Sequence, residues 1–286
     1  MEKNSINIMT NGFDGFLLEE KLDGLTKLES KNISLTCIDT GINGFMVDIL
    51  PEVANKKELV NIKNYSKKHR LNLKGLAGHC DISNDADLEK LKKRIRFVNF
   101  MGGKFIDTNA GPIGQEADFQ KNIKDVIDFA ERMDVIVCLE THGDILGKSK
   151  GFRKLFRDID SERIRITYDP ANVYFYSRGA IDPIEDLEIA LDTGLIYNMH
   201  FKGVTHNENK TEWHFPRCEY AIFDYDKVFG LLRRYGYDKN FEIEIEYRLA
   251  INKDGSFGIN PIWPIDKVID EYNKEIDYLS KKINWL

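Results

Sequence analysis

Residues 135–144 read VIVCLETHGD. A β-branched, apolar run stops at Glu140, and His142 and Asp144 follow at spacings of two. Just upstream, Ile123, Val126, Ile127 and Ala130 recur at intervals of three and four, the spacing of one apolar helix face. A helix feeding a strand that ends in ionisable side chains is the repeating unit of α/β folds whose chemistry gathers at strand ends.

The same unit recurs in both directions along the chain. Strand-like runs lie at 6–9 (INIM), 33–38 (ISLTCI), 71–78 (LNLKGLAG), 104–108 (KFIDT), 135–139 (VIVCL), 164–168 (IRITY), 195–199 (LIYNM) and 241–247 (FEIEIEY). Between them the period changes from two to about 3.6. Leu88, Leu91, Ile95 and Val98 form one stripe, closed by Gly102 and Gly103; Val228, Leu231, Leu232 and Tyr235 form another. Ile265, Val268, Ile269, Tyr272, Ile276 and Leu279 line a final helix. Eight strands each followed by a helix predict an α/β fold, a single (β/α)8 TIM barrel occupying residues 1–286 as one domain. A doubly wound sheet would need fewer repeats or a second domain, and no Pro/Gly/Ser-rich linker divides the chain. The pattern blurs at 39–60, where a second helix is due; this stretch is read as a long mobile loop over the barrel mouth.

With 286 residues, 42% hydrophobic and 31% charged, the composition is that of a soluble globular chain. The net charge of −6 disfavours nucleic acid as a partner. The basic run KLKKRIR (90–96) falls on a helical pattern and is read as its wet face. No apolar run is long enough to span a bilayer, and MEKNSINIMT is no signal peptide. Cys37, Cys80, Cys138 and Cys218 lack CxxC spacing, so a cytoplasmic protein with free thiols is expected.

At the ends of the later strands stand CLETH (138–142), TYDPAN (167–172), NMHFKG (198–203) and FEIEIEY (241–247). Successive strands thus deliver Glu140, Asp169, His200 and one of Glu242, Glu244 and Glu246. Three carboxylates converging on a barrel mouth would repel one another without a cation. With one, they make a mostly oxygen site suited to a single divalent ion, Mn²⁺ first, with Mg²⁺, Co²⁺ or Zn²⁺ as substitutes. Strand alternation puts the three glutamates on one face, so register leaves Glu246 open as the fourth ligand.

Together, GLAGHCDIS, CLETHGD, YDPAN, HFKG and GYDKNFEIEIE resemble the sugar phosphate isomerase/epimerase superfamily of xylose-isomerase-like TIM barrels, which includes ketose 3-epimerases such as D-psicose 3-epimerase. The resemblance covers about residues 70 to 250. It implies Glu140, Asp169, His200 and Glu244 as metal ligands, with Glu140 and Glu244 doubling as acid/base groups. The chain departs from the family at Asn172, where many relatives carry histidine, and at Gly203, where HxKD is common. CEYAIFDY (218–225) replaces a Gly-x-Gly.

The implied chemistry is proton abstraction beside a carbonyl held by the cation, through an enediolate, giving a sugar isomer or epimer. His142 is a rival base, and Lys202 a support for the developing oxyanion. His79, Asp81 and Asn172 are candidate substrate contacts, with Trp213 and His214 as a sugar-stacking loop and Arg217 as an anion contact. The expected partner is a small sugar or sugar derivative, alongside a homo-oligomer or a small partner subunit. Two other outcomes share parts of the pattern: a lyase on 3-oxo sugars, such as a C-glycoside deglycosidase, and an endonuclease-IV-like phosphodiesterase.

Overall fold

Periodicity of two at strand runs and 3.6 between them dictates alternation, and the computed structural model, which describes residues 6–38, 45–159, 161–254 and 256–283, closes that alternation into a ring. Eight parallel strands form it: β1 (Asn7–Met9), β2 (Asn32–Thr36), β3 (Asn72–Asp81), β4 (Phe105–Asn109), β5 (Ile136–Glu140), β6 (Ile164–Tyr168), β7 (Ile196–Phe201) and β10 (Asn240–Ile243). Asn7 sits level with Asn32 on one side and Glu242 on the other, sealing the first strand to the last. Two hairpin pairs, β8 (Thr205–His206) with β9 (Trp213–His214) and β11 (Leu249–Ile251) with β12 (Phe257–Ile259), join as a separate four-stranded antiparallel sheet.

Helices pack outside the strands: α1 (Leu18–Thr26), α2 (Lys56–Lys68), α3 (Asp85–Met101), α4 (Glu116–Met133), the short α5 (Phe152–Leu155), α6 (Pro170–Tyr176), α7 (Pro183–Leu191), α8 (Tyr225–Arg234) and α9 (Ile265–Ile283). The expected stripes face inward: Leu88, Leu91, Ile95 and Val98 are all buried. Gly102 ends α3 with φ of 86°, a left-handed turn that a side chain would oppose. None of the described helices is long and apolar enough to cross a membrane.

Two expectations are corrected. The second helix starts at Lys56, where Asn55 accepts from the Lys57 and Glu58 amides and Glu58 returns a bond to the Asn55 amide. That capping box, rather than apolar spacing, marks its start. The segment before it is partly buried, with Phe45, Met46 and Ile49 in contact with the body; the portion at 39–44 lies outside the described residues. Nor is KLKKRIR wholly a wet face. Arg94 is buried, ion-paired to Glu52 at 2.6 Å and donating to the carbonyls of Cys37 and His79.

The barrel interior is unusually polar. Such interiors are ordinarily filled by branched apolar side chains. Here Asn7 donates to Ser34 and Glu242, Asn198 donates to the other Glu242 oxygen, and Thr167 donates to Asp107. This buried layer lies directly beneath the strand ends.

Candidate metal centre and its cavity

Each strand end contributes through its local geometry. Glu140 is the last residue of β5, and the tips of β5 and β6 are tied by the Asp169 amide donating to Thr141 Oγ1 at 2.8 Å. Asp169 follows β6 and caps α6: its Oδ1 accepts from the Asn172 amide at 3.0 Å, and Pro170 occupies the first helical position, where its missing N–H costs nothing. Capping spends one Asp169 oxygen and leaves Oδ2 for Lys202 and His200, 3.2 and 3.9 Å away. Asn172, in the same turn, sends its side-chain amide to Glu140 Oε1 at 2.7 Å. Asn172 thereby holds one oxygen of Glu140 in place.

His200 sits on β7 with both ring nitrogens committed to opposite directions. Nε2 points into the barrel, 3.1 Å from Glu242 and 3.6 Å from Asp107. Nδ1 points to the mouth, 3.2 Å from Glu244, 3.4 Å from Glu140 and 3.9 Å from Asp169. A carboxylate behind an imidazole is the arrangement that orients a metal-ligating histidine.

The structure brings Glu140, Asp169, His200 and Glu244 together, with one donor atom of each within 4.8 Å of the others. Asp169 Oδ2, Glu244 Oε2 and His200 Nδ1 are all buried without a hydrogen bond. Lys202 Nζ lies 3.2 Å from Asp169 Oδ2 and 3.0 Å from Glu244 Oε2, and the gathering of three carboxylates and one imidazole at this point fits a divalent cation.

The three late glutamates resolve by depth. β10 ends at Ile243, so strict alternation no longer governs the residues beyond it. Glu242 lies in the polar barrel layer, Glu244 at the four-residue cluster, and Glu246 above it, 2.8 Å from Lys202. Lys202 is buried and also approaches Glu244 at 3.0 Å and Asp169 at 3.2 Å.

Electrostatics follow from this crowding. Burial alone would raise the Glu140 and Glu244 carboxyls, but His200 with His79 holds Glu140 well below its usual range, and Lys202 with His200 brings Glu244 to about 2. Burial pushes Asp169 up to about 6 and Glu246 up to about 7. Burial would depress Lys202 and His200; the surrounding carboxylates outweigh it and hold both well above their ordinary values.

Above the cluster opens a cavity of about 450 Å³ that reaches Glu244, Glu246, His79, Asp81 and His142. His79 Nε2 is 2.8 Å from Glu140 Oε2, so both Glu140 oxygens are engaged. His142 packs edge-on to His79, with ring centroids 5.1 Å apart, and meets the Tyr176 hydroxyl at 3.1 Å through Nε2. Burial lowers His142 to about 4, leaving a neutral ring at neutral pH.

Three sequence candidates lie elsewhere. Trp213 is fully buried among Ala171, Phe175, Val204, Phe215 and Ile251, and its indole donates to the Lys210 carbonyl, so its face cannot stack on a sugar. His214 is the exposed neighbour on β9, paired with Ala250 and Thr205. Arg217 is ion-paired to Glu219 and Glu271, and an anion would have to displace them. Gly203 has its own reason: a Cβ there would fall 2.4 Å from the Arg217 carbonyl oxygen, so the close backbone approach excludes the aspartate common in HxKD.

Asp107, Tyr176 and the Glu242 support of His200 were missed as site residues. Asp107 carried a signal, an acid in the middle of an apolar strand run.

The family model described as xylose isomerase-like TIM barrel matches residues 36–280. Among solved structures, the probable 3-DHS dehydratase AsbF of Bacillus anthracis is 16% identical, with TM-score 0.68 over 96% of this chain and 98% of that one. The IOLI protein with a bound zinc atom is 14% identical, with TM-score 0.70 over 97% and 99%. D-allulose 3-epimerase from a Methylomonas species, in complex with D-allulose, is 11% identical, with TM-score 0.66 over 97% and 96%. At these identities the likeness shows the fold alone. No curated protein matches by sequence.

Proposed function

The chain belongs to the xylose isomerase-like TIM barrel family, and from that premise we propose that it is a divalent-metal-dependent sugar isomerase or epimerase. The observation that carries this reading is the convergence of one donor atom each from buried Glu140, Asp169, His200 and Glu244 within 4.8 Å of one another, beneath a cavity of about 450 Å³ that Glu244 lines. Glu140, Asp169, His200 and Glu244 would hold the ion, with Mn²⁺, Mg²⁺, Co²⁺ and Zn²⁺ all compatible with the donor set. A divalent ion there supplies positive charge that makes the C–H beside a carbonyl more acidic.

The chain's own residues supply the rest. Glu140, with one oxygen on Asn172 and the other on His79, is fixed as a ligand. Glu244 and His142 both face the cavity and are the groups placed to take and return the substrate proton. Lys202, clasped by Glu246, keeps a positive charge beside the site without releasing it to solvent. Asp81 and His79 offer hydrogen bonds to substrate hydroxyls from the opposite wall.

Incubating the Mn²⁺-supplemented protein with a panel of ketoses and 3-oxo glycosides in ²H₂O tests this. Label at the carbon beside the carbonyl, with an isomeric sugar recovered, is the expected result. Labelled substrate with release of an aglycone or an unsaturated fragment would reassign the chain as a lyase. Phosphodiester cleavage with no carbon-bound label would overturn the reading.

A further inference from the structure

The cavity has two unlike walls, and together they describe what fills it. One wall is apolar. Leu249 of β11 stands opposite Ile259 of β12, and Phe257 lies two residues before Ile259, so all three share one face of the hairpin. That face lines the cavity, joined by Phe45 and Met46. Phe257 is 63% exposed and Ile259 39%. Single exposed apolar residues need no explanation, but a contiguous apolar hairpin face opening onto the same cavity as Glu244 does.

The other wall is rich in charge, and its cations are spoken for. Lys90 and Arg94 line the cavity, yet Lys90 is paired with Asp87 at 2.8 Å and Arg94 with Glu52 at 2.6 Å. Lys202 faces three carboxylates. Among the described residues, each lysine or arginine on this wall already has a carboxylate partner, while Asp81 and Glu246 add negative charge. A phosphate placed here would meet like charge with no uncommitted cation to offset it.

We propose that the substrate is an unphosphorylated, uncharged polyhydroxy carbonyl compound bearing an apolar substituent, with the carbonyl toward Glu244 and the substituent beneath the Leu249–Phe257–Ile259 face. The inference rests on the function proposed above and adds the substrate class. A cavity of about 450 Å³ falls in the range of pockets that enclose drug-sized ligands, roughly 300–1,000 Å³, leaving room beyond a single sugar ring.

Three probes with one shared carbonyl test it: methyl 3-oxo-β-D-glucopyranoside, its phenyl counterpart, and the 6-phosphate of the methyl compound. Calorimetric titration of the Mn²⁺-supplemented protein should show the phenyl compound binding about tenfold tighter than the methyl compound, and the phosphate about tenfold weaker. Replacing both exposed hairpin residues, Phe257→Ala with Ile259→Ala, should bring the phenyl-to-methyl ratio down to about twofold or less. Equal affinity for methyl and phenyl compounds, no binding of the phenyl compound, or preference for the phosphate overturns the proposal. Exchange of the α-proton in ²H₂O separates this from the chemistry. A phenyl preference without exchange keeps the substrate class and removes the isomerase, whereas exchange fastest in the phosphate does the reverse.

Discussion

Glu275 lies on the inner face of α9 with 1% of its surface exposed. Its Oε1 accepts from the Cys218 amide at 3.1 Å, and its Oε2 is buried with no hydrogen bond. Burial pushes the carboxyl up from 4.5 to about 7. In the unfolded chain it ionises near its ordinary value, so between about pH 4.5 and 7 the folded chain keeps a proton that the unfolded chain has lost. The contribution of this carboxyl to stability therefore falls as pH rises through that window and levels off above it. The 2.5-unit gap, 7 minus 4.5, corresponds to about 3 kcal/mol. Glu275→Gln removes the ionisation while keeping an oxygen for the Cys218 amide. Urea unfolding at pH 4.5, 6 and 8 should show the variant close to the parent at the lowest pH and more stable by about 3 kcal/mol at the highest. A stability difference that does not change with pH, or a variant weaker at pH 8, would refute the assignment of the proton to this carboxyl.

Glu244→Gln should lose divalent metal on dialysis while Glu246→Gln keeps it, as read by elemental analysis; the opposite pattern would move the fourth ligand to Glu246. Glu242→Gln should weaken metal binding by about 10- to 100-fold in a competition titration, the usual cost of disturbing the group behind a ligating imidazole; unchanged affinity would remove its orienting role. Trp213→Ala should cost about 3–5 kcal/mol in chemical denaturation, since the ring fills a packed cluster; a loss under about 1 kcal/mol would mean the ring packs less than its burial suggests.

The barrel was legible because strand and helix announce themselves by local period, and each unit repeats the last. What escaped depended on contacts between distant segments or on signals of another kind. Arg94 is three residues after Leu91 and four before Val98, on the apolar stripe itself, but its charge argued for solvent; the largely covered Glu52 carboxylate and the Cys37 and His79 carbonyls make that position tenable. The start of α2 was written in Asn55 and Glu58, a capping pattern that an apolar count does not register. Glu140, Asp169, His200 and Glu244 could be lined up because each stands at or just beyond the end of a strand of the same ring. Choosing between Glu244 and Glu246 was beyond alternation, since β10 stops at Ile243. Trp213 looked like a stacking residue because burial by the β8–β9–β11 sheet is invisible in its neighbours.

The hydrogen bond from Asn7 to Glu242 joins residues 235 positions apart. Glu242 in turn backs His200, so the imidazole is held in place only after the first strand has docked against the last. Assembly of the centre is thereby tied to ring closure, a long-range contact whose loop entropy makes it among the slower ones for a folding chain to make. A nascent or partly opened chain exposes its carboxylates without the oriented imidazole that joins them, and so the donor set of the proposed ion site is complete only in the closed ring.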